Sequence, residues 1–294
     1  MVNKNKNFIQ FLGTGAADFF EVHVRECSEG NCAKAKKLGG RNLRHAPSLF
    51  ISPDVLVDFY SKEQMRNYGI RDESIHHLLI THSHYDHFQP VAILDFASSL
   101  PHPLSVYGNM TVKNALDFAT VYRWDASVGL FKMNQNNSKI QVRAISPRES
   151  FSLGETKVTP VLANHKIDRK HLILTQQSLN YVVERGGKAL FYGLDSGYIL
   201  PETLKILSKF QFDIAIFEAT FGHLEIDPPV SGHQNFSMLE KTVAQFRQAN
   251  LFKKETVIVA DHISQHHVEP YNEIVAELSK KGIILAYDGM ILEF

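Results

Sequence analysis

The chain contains 294 residues, with 31 acidic side chains, 31 basic side chains and 44% hydrophobic residues. These values are ordinary for a soluble globular protein, and the zero net charge lacks the basic excess that a nucleic-acid enzyme usually shows. No apolar run approaches the roughly 18 residues of a membrane-spanning helix, and the polar first residues lack the apolar core of a signal peptide. Two cysteines do not form a disulfide framework, so we expect a reduced, cytoplasmic protein.

The first predicted element is a strand at residues 8–12, which runs into a tight Gly-Thr-Gly turn at 13–15. The turn is not a dinucleotide-binding fingerprint, because Asp18 stands where that pattern needs a glycine. Residues 16–47 are irregular and polar, apart from a short helical pattern at 31–38 that two glycines end. Since this segment is too long for a simple connection, we expect it to cover a site.

The next two apolar runs, at 48–51 and 55–59, flank a Ser-Pro-Asp turn and predict a β-hairpin. The elements predicted after it are a short helix at 61–69, a buried strand at 77–80, a helix from Pro90, a strand at 106–107 and a helix at 109–120. Residues 125–139 have no clean hydrophobic period and contain a polar loop at 134–138.

In the second half, strands at 179–184 and 189–192 are joined through a Gly-Gly pair, which suits a two-residue turn that needs positive φ. The other predicted elements are strands at 140–145, 157–162, 212–217 and 256–260, helices at 201–209, 236–250 and 269–281, and a C-terminal hairpin of strands 283–286 and 290–294. This order predicts an α+β fold in which two mixed sheets pack face to face with helices outside. We expect a single domain over residues 1–294, with an irregular insertion at about 16–47.

The densest group of polar residues follows the buried strand at 77–80, where His82-x-His84-x-Asp86-His87 places three imidazoles and one carboxylate in six residues. Polar side chains also stand where later apolar strands end, at His165, Asp195, Glu218 and His262. Side chains at strand ends come together at one edge of a sandwich, on a rigid scaffold. Imidazole and carboxylate together suit divalent transition metals, so the pattern indicates a metal site with ligands for two ions.

This ligand set, His82, His84, Asp86 and His87 with the later His165, Asp195 and His262, resembles that of the metallo-β-lactamase superfamily in order and separation. The resemblance implies the four-layer αββα sandwich of that superfamily, in agreement with the predicted order of elements. It further implies two metal ions, one held by His82, His84 and His165, the other by Asp86, His87 and His262, with Asp195 as the bridge. Two such ions lower the pKa of a shared water, which attacks as hydroxide, so Asp86 and Asp195 also count as catalytic residues.

His233 is the candidate that would give the leaving group its proton. It stands in Ser-Gly-His-Gln-Asn, between the strand that ends at Glu218 and the helix predicted from 236. Superfamily members that cleave phosphodiesters carry a Gly-His at this place, so the resemblance implies that His233 is a general acid. The alternative is a loop histidine in contact with solvent.

The turn at 13–15, the Cys-Ala-Lys-Ala-Lys-Lys run from Cys32 and the His-Ile-Ser run from His262 resemble the phosphodiesterase of the carbon–phosphorus lyase pathway. That branch hydrolyses cyclic ribose phosphates and carries a structural zinc, bound by three closely spaced cysteines and a histidine. This chain departs from the pattern, because it has only Cys27 and Cys32. A third, structural zinc on Cys27, Cys32, His266 and His23 is therefore one expectation, and two free thiols in a surface loop are the other.

We therefore expect a dinuclear hydrolase, with zinc or manganese, that cleaves small cyclic phosphodiesters. Arg41 and Arg44 are candidates for contact with the substrate phosphate, and the alternative is a solvated loop. Two other interpretations stay open: an RNA- or DNA-processing nuclease of the same superfamily, and a non-catalytic metal-binding carrier of the kind used in cofactor biosynthesis. We expect no membrane partner, do not favour a nucleic-acid partner, leave a homodimer open, and assign Trp124 to the core or to an interface.

Overall fold

The computed structural model describes residues 7–133, 139–166, 177–227 and 232–294, so the predicted loop at 134–138 lies outside the described residues. Two seven-stranded sheets form its centre. The strands of the first sheet are β1 (Phe8–Gly13), β2 (Ser48–Ile51), β3 (Val55–Val57), β4 (His77–Leu79), β5 (Leu104–Gly108), β8 (Ile140–Ala144) and β16 (Ile291–Glu293). The strands of the second sheet are β9 (Phe151–Leu153), β10 (Thr156–Lys166), β11 (Gln177–Arg185), β12 (Lys188–Gly193), β13 (Phe212–Glu218), β14 (Phe252–Asp261) and β15 (Ile284–Leu285).

Both sheets are mixed. The first has the order β16-β1-β2-β3-β4-β5-β8, antiparallel from β16 to β3 and parallel from β3 to β8. The second has the order β15-β14-β13-β12-β11-β10-β9, parallel from β15 to β12 and antiparallel from β12 to β9. A separate two-stranded ribbon, β6 (Tyr122–Asp125) and β7 (Leu130–Met133), pairs with neither sheet among the described residues.

The helices are α1 (Gly30–Leu38), α2 (Lys62–Asn67), α3 (Pro90–Ser99), α4 (Met110–Val121), α5 (Pro201–Leu207), α6 (Phe236–Gln248) and α7 (Tyr271–Lys280). Their starts follow local rules. Pro90 opens α3 at a position whose N–H would have no helical partner, and the side chains of Asn109 and Asn235 accept backbone N–H groups at the starts of α4 and α6. Among the described residues, no helix combines the length and apolarity needed to cross a bilayer.

Three apolar clusters show the layering, and β12 illustrates how one strand serves two of them. Leu190 and Tyr192 pack between the two sheets, whereas Phe191 packs against the α5, α6 and α7 side of the second sheet. The third cluster lies between the first sheet and the helices α2, α3 and α4. Because successive strand residues point to opposite faces, each sheet can bury both of its faces. The arrangement is the predicted four-layer αββα sandwich.

The sheets also fix where polar side chains gather. In the first sheet, β3 ends just before Asp58 and β4 ends just before the histidine-rich stretch that starts at His82. In the second sheet, the parallel strands β12, β13 and β14 end at or just before Asp195, Glu218 and His262. These strand ends meet at one edge of the sandwich, which confirms the expected convergence of His82, Asp195, Glu218 and His262. Asp58 joins them there without having been expected.

Two sequence predictions about strands are wrong. The C-terminal strands do not form a hairpin: Ile284 pairs in parallel with Val259 in the second sheet, and Ile291 pairs antiparallel with Gln10 in the first. The turn between them therefore carries the chain from one sheet to the other. No strand is expected at 125–139, where the hydrophobic period is unclear, yet Leu130–Met133 pairs with Tyr122–Asp125 in the β6–β7 ribbon, whose side chains are almost all exposed.

Candidate metal centre

The first group of converging side chains is made of His82, His84, His165 and Asp195. His84 Nδ1 lies 2.9 Å from His82 Nε2 and 3.1 Å from His165 Nε2. Asp195 Oδ2 lies 3.5 Å from Nε2 of both His82 and His165. Three ring nitrogens and one carboxylate oxygen therefore point at a common centre, which is the donor set that zinc and related divalent ions take.

The second group is made of Asp86, His87 and His262. The Nε2 atoms of His87 and His262 lie 3.3 Å apart, and Asp86 Oδ2 lies 3.3 Å and 3.6 Å from them. Asp195 reaches this group with its other oxygen, since Oδ1 lies 3.3 Å from His87 Nε2 and 2.9 Å from His262 Nε2. Asp195 thus faces both groups, one oxygen to each, which is the geometry that a bridging ligand requires.

Two of the histidines are oriented by a direct hydrogen bond from the ring nitrogen that faces away from the centre. His87 Nδ1 donates to Asp58 Oδ2 at 2.8 Å, and His165 Nδ1 donates to the carbonyl of Gly232 at 3.1 Å. Because these acceptors take the proton on Nδ1, the lone pair of each ring is on Nε2, the atom that points into the centre.

Two more histidines reach a carboxylate through a threonine hydroxyl. Thr81 Oγ1 donates to Asp58 and so accepts from His82 Nδ1 at 3.0 Å. Thr220 Oγ1 donates to Glu218 and accepts from His262 Nδ1 at 2.9 Å. Four of the five rings therefore turn an Nε2 lone pair inward. When these rings are neutral, as metal binding requires, their lone pairs lie about 3 Å apart and repel unless a cation lies between them, so these residues fit a pair of divalent metal ions.

The charges of the centre also favour the binding of a cation. Although burial favours neutral rings, the Asp195 carboxylate raises the pKa of His262 to about 10, and Asp195 and Asp86 hold the pKa of His87 well above its usual range. Burial lowers the pKa of His165 to about 4. The carboxylates thus attract positive charge to one half of the centre, and a metal ion that binds there must displace protons from His87 and His262.

The backbone is held in an unusual conformation at three of these positions. Asp58, Asp195 and His262 have φ values of 59°, 46° and 56°, in the left-handed region that non-glycine residues seldom adopt. Such conformations cost on the order of 1 kcal/mol each, and they persist where the surrounding structure over-determines them. All three side chains are buried and contact one another or a candidate ligand in the centre. The strained backbone positions therefore coincide with the candidate metal centre.

A cavity of about 570 Å³ opens beside the centre. Its lining combines residues of both metal groups with His233 and with residues of the 16–47 insertion, namely Ala16, Ala17, Asp18, Val22 and His23. The prediction that this insertion covers a site therefore agrees with the structure. The aromatic side chains of Tyr85 and Phe221 also line this cavity.

His233 stands at the edge of the centre and is held by Glu218. Its Nδ1 lies 3.0 Å and 3.2 Å from the two carboxylate oxygens of Glu218, which is fully buried. Burial acts to lower the pKa of His233, but the charge and hydrogen bond of Glu218 outweigh it and the pKa is raised. A ring whose pKa is raised in this way holds its proton more tightly, and from the edge of the metal groups it can donate that proton to a departing group.

Comparison with known proteins identifies the family. Residues 52–262, most of the chain, match the family model described as the beta-lactamase superfamily domain. The chain is a member of the metallo-β-lactamase superfamily. This is a superfamily of metal-dependent hydrolases, and the chain carries a His/Asp metal-binding cluster. No curated protein sequence matches the chain significantly.

Solved structures share this superfamily fold over nearly the whole chain. A new diphosphatase from the PhnP family has a TM-score of 0.72 at 20% identity, with 98% of each chain covered. Zn²⁺-bound PqqB from Methylobacterium extorquens has a TM-score of 0.69 at 17% identity, with 98% of this chain and all of that one covered. The short form of human tRNase Z has a TM-score of 0.64 at 18% identity, with 97% and 98% covered.

The two arginines proposed for substrate contact lie elsewhere, and that prediction is wrong for this structure. Arg44 is fully buried and donates from Nη1 to Thr14 Oγ1 at 2.7 Å and to the carbonyl of Ala286 at 2.8 Å. The guanidinium of Arg41 lies 4.0 Å from the ring centre of Tyr287. Neither arginine lines the cavity beside the metal groups, because both pack the insertion against the C-terminal part of the chain.

The two cysteines also differ from expectation. Both interpretations of the sequence treated them as thiols, but Cys27 and Cys32 form a disulfide. His23 offers a ring nitrogen within 4.8 Å of both sulfurs, and the His266 ring lies 5.2 Å from the His23 ring. The four residues are therefore neighbours as predicted, but the sulfurs are not thiolates in this form, so a structural zinc there would require reduction of the bond.

Three residues that orient the ligands were missed from the sequence: Asp58, Thr81 and Thr220. Asp58 ends the apolar strand β3 in the way that Asp195 ends β12, so the strand-end signal that found the ligands also marks it. Thr81 adjoins His82, and Thr220 follows Glu218 by two positions. Neither threonine carries a signal of its own, because their role depends on which carboxylate the fold brings within reach.

Proposed function

We propose that this superfamily member is a dinuclear metal-dependent phosphodiesterase that acts on small, including cyclic, diesters. His82, His84 and His165 would hold one divalent ion, Asp86, His87 and His262 the other, and Asp195 would bridge them. Zinc and manganese both suit this set of imidazole and carboxylate donors. The observation that carries the proposal is the His233–Glu218 pair at the edge of the metal groups, with Nδ1 and a carboxylate oxygen 3.0 Å apart.

A pair of divalent ions held here would supply a water activated near neutral pH and positive charge beside the reacting phosphorus. The residues of the chain orient the metal ligands and admit the substrate. Asp58, Thr81, Thr220 and Gly232 fix the orientation of the ligand rings, so that little reorganisation is needed during the reaction. The cavity admits the diester from the side of the insertion.

His233 has the features of the group that protonates the leaving oxygen. An alkoxide is a poor leaving group unless it receives a proton as the bond to phosphorus breaks. Glu218 fixes the ring through Nδ1, so the proton delivered to the substrate would come from Nε2. A diester needs this acid because its leaving group is an alkoxide. The diphosphatase and the tRNase Z among the structural relatives also act, by their names, at phosphate bonds.

The site offers a second role for His233, because its ring also lies within metal-binding reach of Asp195 and His262. A ligand and a general acid respond differently to removal. If His233 is the acid, His233→Ala should lower turnover of a diester with an alkoxide leaving group, such as a cyclic ribose phosphate, by about 10²–10⁴-fold while the metal content is unchanged. Loss of a metal ion in that variant would make His233 a ligand, and full activity would remove it from the mechanism.

The function is tested with purified protein loaded with manganese or zinc. Turnover of bis-p-nitrophenyl phosphate should exceed that of p-nitrophenyl acetate, a thioester and a β-lactam. No turnover of the diester with two ions bound would favour the carrier interpretation, and strong salt-sensitive binding of RNA would favour the nuclease. Elemental analysis of the same sample should give two ions per chain, and a third only after reduction of Cys27 and Cys32.

A further inference from the structure

The β6–β7 ribbon carries an unusual concentration of exposed apolar side chains. Of the sixteen large hydrophobic side chains that are exposed among the described residues, eight lie between 118 and 133: Phe118, Val121, Tyr122, Trp124, Val128, Leu130, Phe131 and Met133. The strand pairs Tyr122–Met133 and Trp124–Phe131 place these four side chains on one face of the ribbon, and Phe118 contacts Tyr122 and Phe131. We call these five residues the ribbon face. Met133 is 75% exposed, Phe131 54% and Trp124 53%. Contiguous apolar surface of this kind marks an interaction site in a folded protein.

The ribbon has few contacts of its own to hold it. It follows α4 directly and pairs with no third strand among the described residues, so both of its outer edges lack a strand partner there. The ion pair between Arg123 and Asp95 of α3 ties it to the body of the molecule at 3.7 Å. Because an isolated two-stranded ribbon is marginally stable in water, a partner that covers its apolar side chains would stabilise it.

We infer that the ribbon face is the contact surface between two copies of this chain, related by a two-fold axis. An aromatic side chain presents about 150–250 Å², so the five large side chains of the ribbon face, at roughly half exposure, offer about 500 Å². A standard stable interface buries about 800 Å² on each partner. The ribbon face therefore supplies more than half of the area that a dimer needs, and the open strand edges of the ribbon offer further contact.

The charges on the ribbon fit a copy of itself better than a lipid surface. Its two basic side chains each have an acidic partner in the same chain, Lys132 with Asp125 at 2.6 Å and Arg123 with Asp95. A second copy would therefore meet no unpaired like charge. A face that binds anionic lipid carries an excess of free Lys and Arg. Identical strand edges brought together by a two-fold axis run antiparallel, which allows the open edges to pair across the dimer.

The fluorescence of Trp124 reports on this contact, because Trp124 is the only tryptophan of the chain and lies on the ribbon face. The native protein should sediment at twice its chain mass of 33.3 kDa. Dilution should convert it to monomer and shift the tryptophan emission to longer wavelength. Phe131→Asp should raise the dissociation constant by about a thousandfold, since a two-fold interface loses the residue twice.

Leu38→Asp is the matched control, because Leu38 is 50% exposed on α1, outside the ribbon. It should leave the mass and the emission unchanged, and circular dichroism should show that both variants are folded. Turnover per chain is expected to be the same in both, because the ribbon does not line the cavity. A native protein that is monomeric at every concentration, a Phe131→Asp variant that remains dimeric, or flotation of the monomer with anionic lipid vesicles would overturn the inference.

Discussion

Glu218 connects two parts of the site through one buried carboxylate. It accepts from His233 Nδ1, and it accepts from the hydroxyl of Thr220, which in turn orients His262. It also accepts the backbone N–H of Ser196, next to the bridging Asp195, at 2.6 Å. The proposed general acid, one candidate ligand ring and the proposed bridge are therefore positioned by a single residue, so a change of its charge should have a specific effect.

Glu218→Gln should move the basic limb of the pH–rate profile to lower pH. The charge of Glu218 raises the pKa of His233 against the opposing effect of burial, and glutamine keeps an acceptor but removes that charge. A general acid is active only while protonated, so activity is lost as pH rises through its pKa. A lower pKa brings that loss to lower pH. Once the limb lies below neutral pH, turnover at pH 7 should fall by about tenfold for each further pH unit that the limb moves.

The profile is measured as turnover of a diester against pH with saturating metal. Glu255→Gln is a suitable control, since Glu255 is exposed and outside the cavity. An unchanged basic limb in Glu218→Gln, with metal content also unchanged, would show that His233 does not set it.

At the level of elements, the 16–47 insertion is tied to the rest of the fold by titratable side chains. Glu21, in a single turn of π-helix, pairs with His45 just before β2, and both side chains are about three-quarters buried. Burial acts to lower the pKa of His45, but its hydrogen bond to Glu21 and the nearby carboxylates raise it overall. The folded protein therefore holds this proton more tightly than the unfolded chain does.

The pair should stabilise the protein at low pH and lose that effect as the pH rises. The contribution is complete below the unfolded pKa of about 6.5 and disappears as pH passes the higher folded value. Glu21→Gln should therefore lower the free energy of unfolding by about 1 kcal/mol at pH 6, and by less at pH 9. Urea unfolding at the two pH values measures this.

Glu277→Gln is the matched control, because its partners His223 and Lys281 are 47% and 35% exposed and both pairs are open to solvent. That variant should show little change at either pH. An equal loss of stability at both pH values in Glu21→Gln would mean that the residue acts by packing and not through the charge of His45.

How far the sequence predicts each element depends on whether its signal is local. Apolar runs that end in His or Asp are local, and they indicated the candidate ligands that the fold brings together. The partner of a strand is not local: the turn before Met290 reads as a hairpin, but the open edges of two sheets decide that Ile284 and Ile291 separate. Arg44 likewise reads as a surface residue, and it is buried because Thr14 and Ala286 enclose it.

At the scale of the whole molecule, the candidate metal centre lies between the two sheets and takes its side chains from both. His82, His84, Asp86 and His87 follow β4 of the first sheet, whereas His165, Asp195 and His262 belong to strand ends of the second. Each proposed ion would have ligands from both sheets. Metal ions that bind the folded state and not the unfolded chain stabilise it in proportion to the logarithm of their concentration over Kd.

Removal of the metals with a chelator should therefore destabilise the entire fold, by about 2.7 kcal/mol for each site at a free concentration near one hundred times Kd. Thermal unfolding with and without chelator measures the effect, and adding zinc or manganese should restore it. The restoration should weaken as the pH falls, because His262, with a pKa of about 10, and His87 must lose protons to bind metal. Asp195→Asn, which loses the bridging charge, should fold but respond much less to metal. If the stripped protein is as stable as the loaded one at every pH, the ions do not hold the two sheets together.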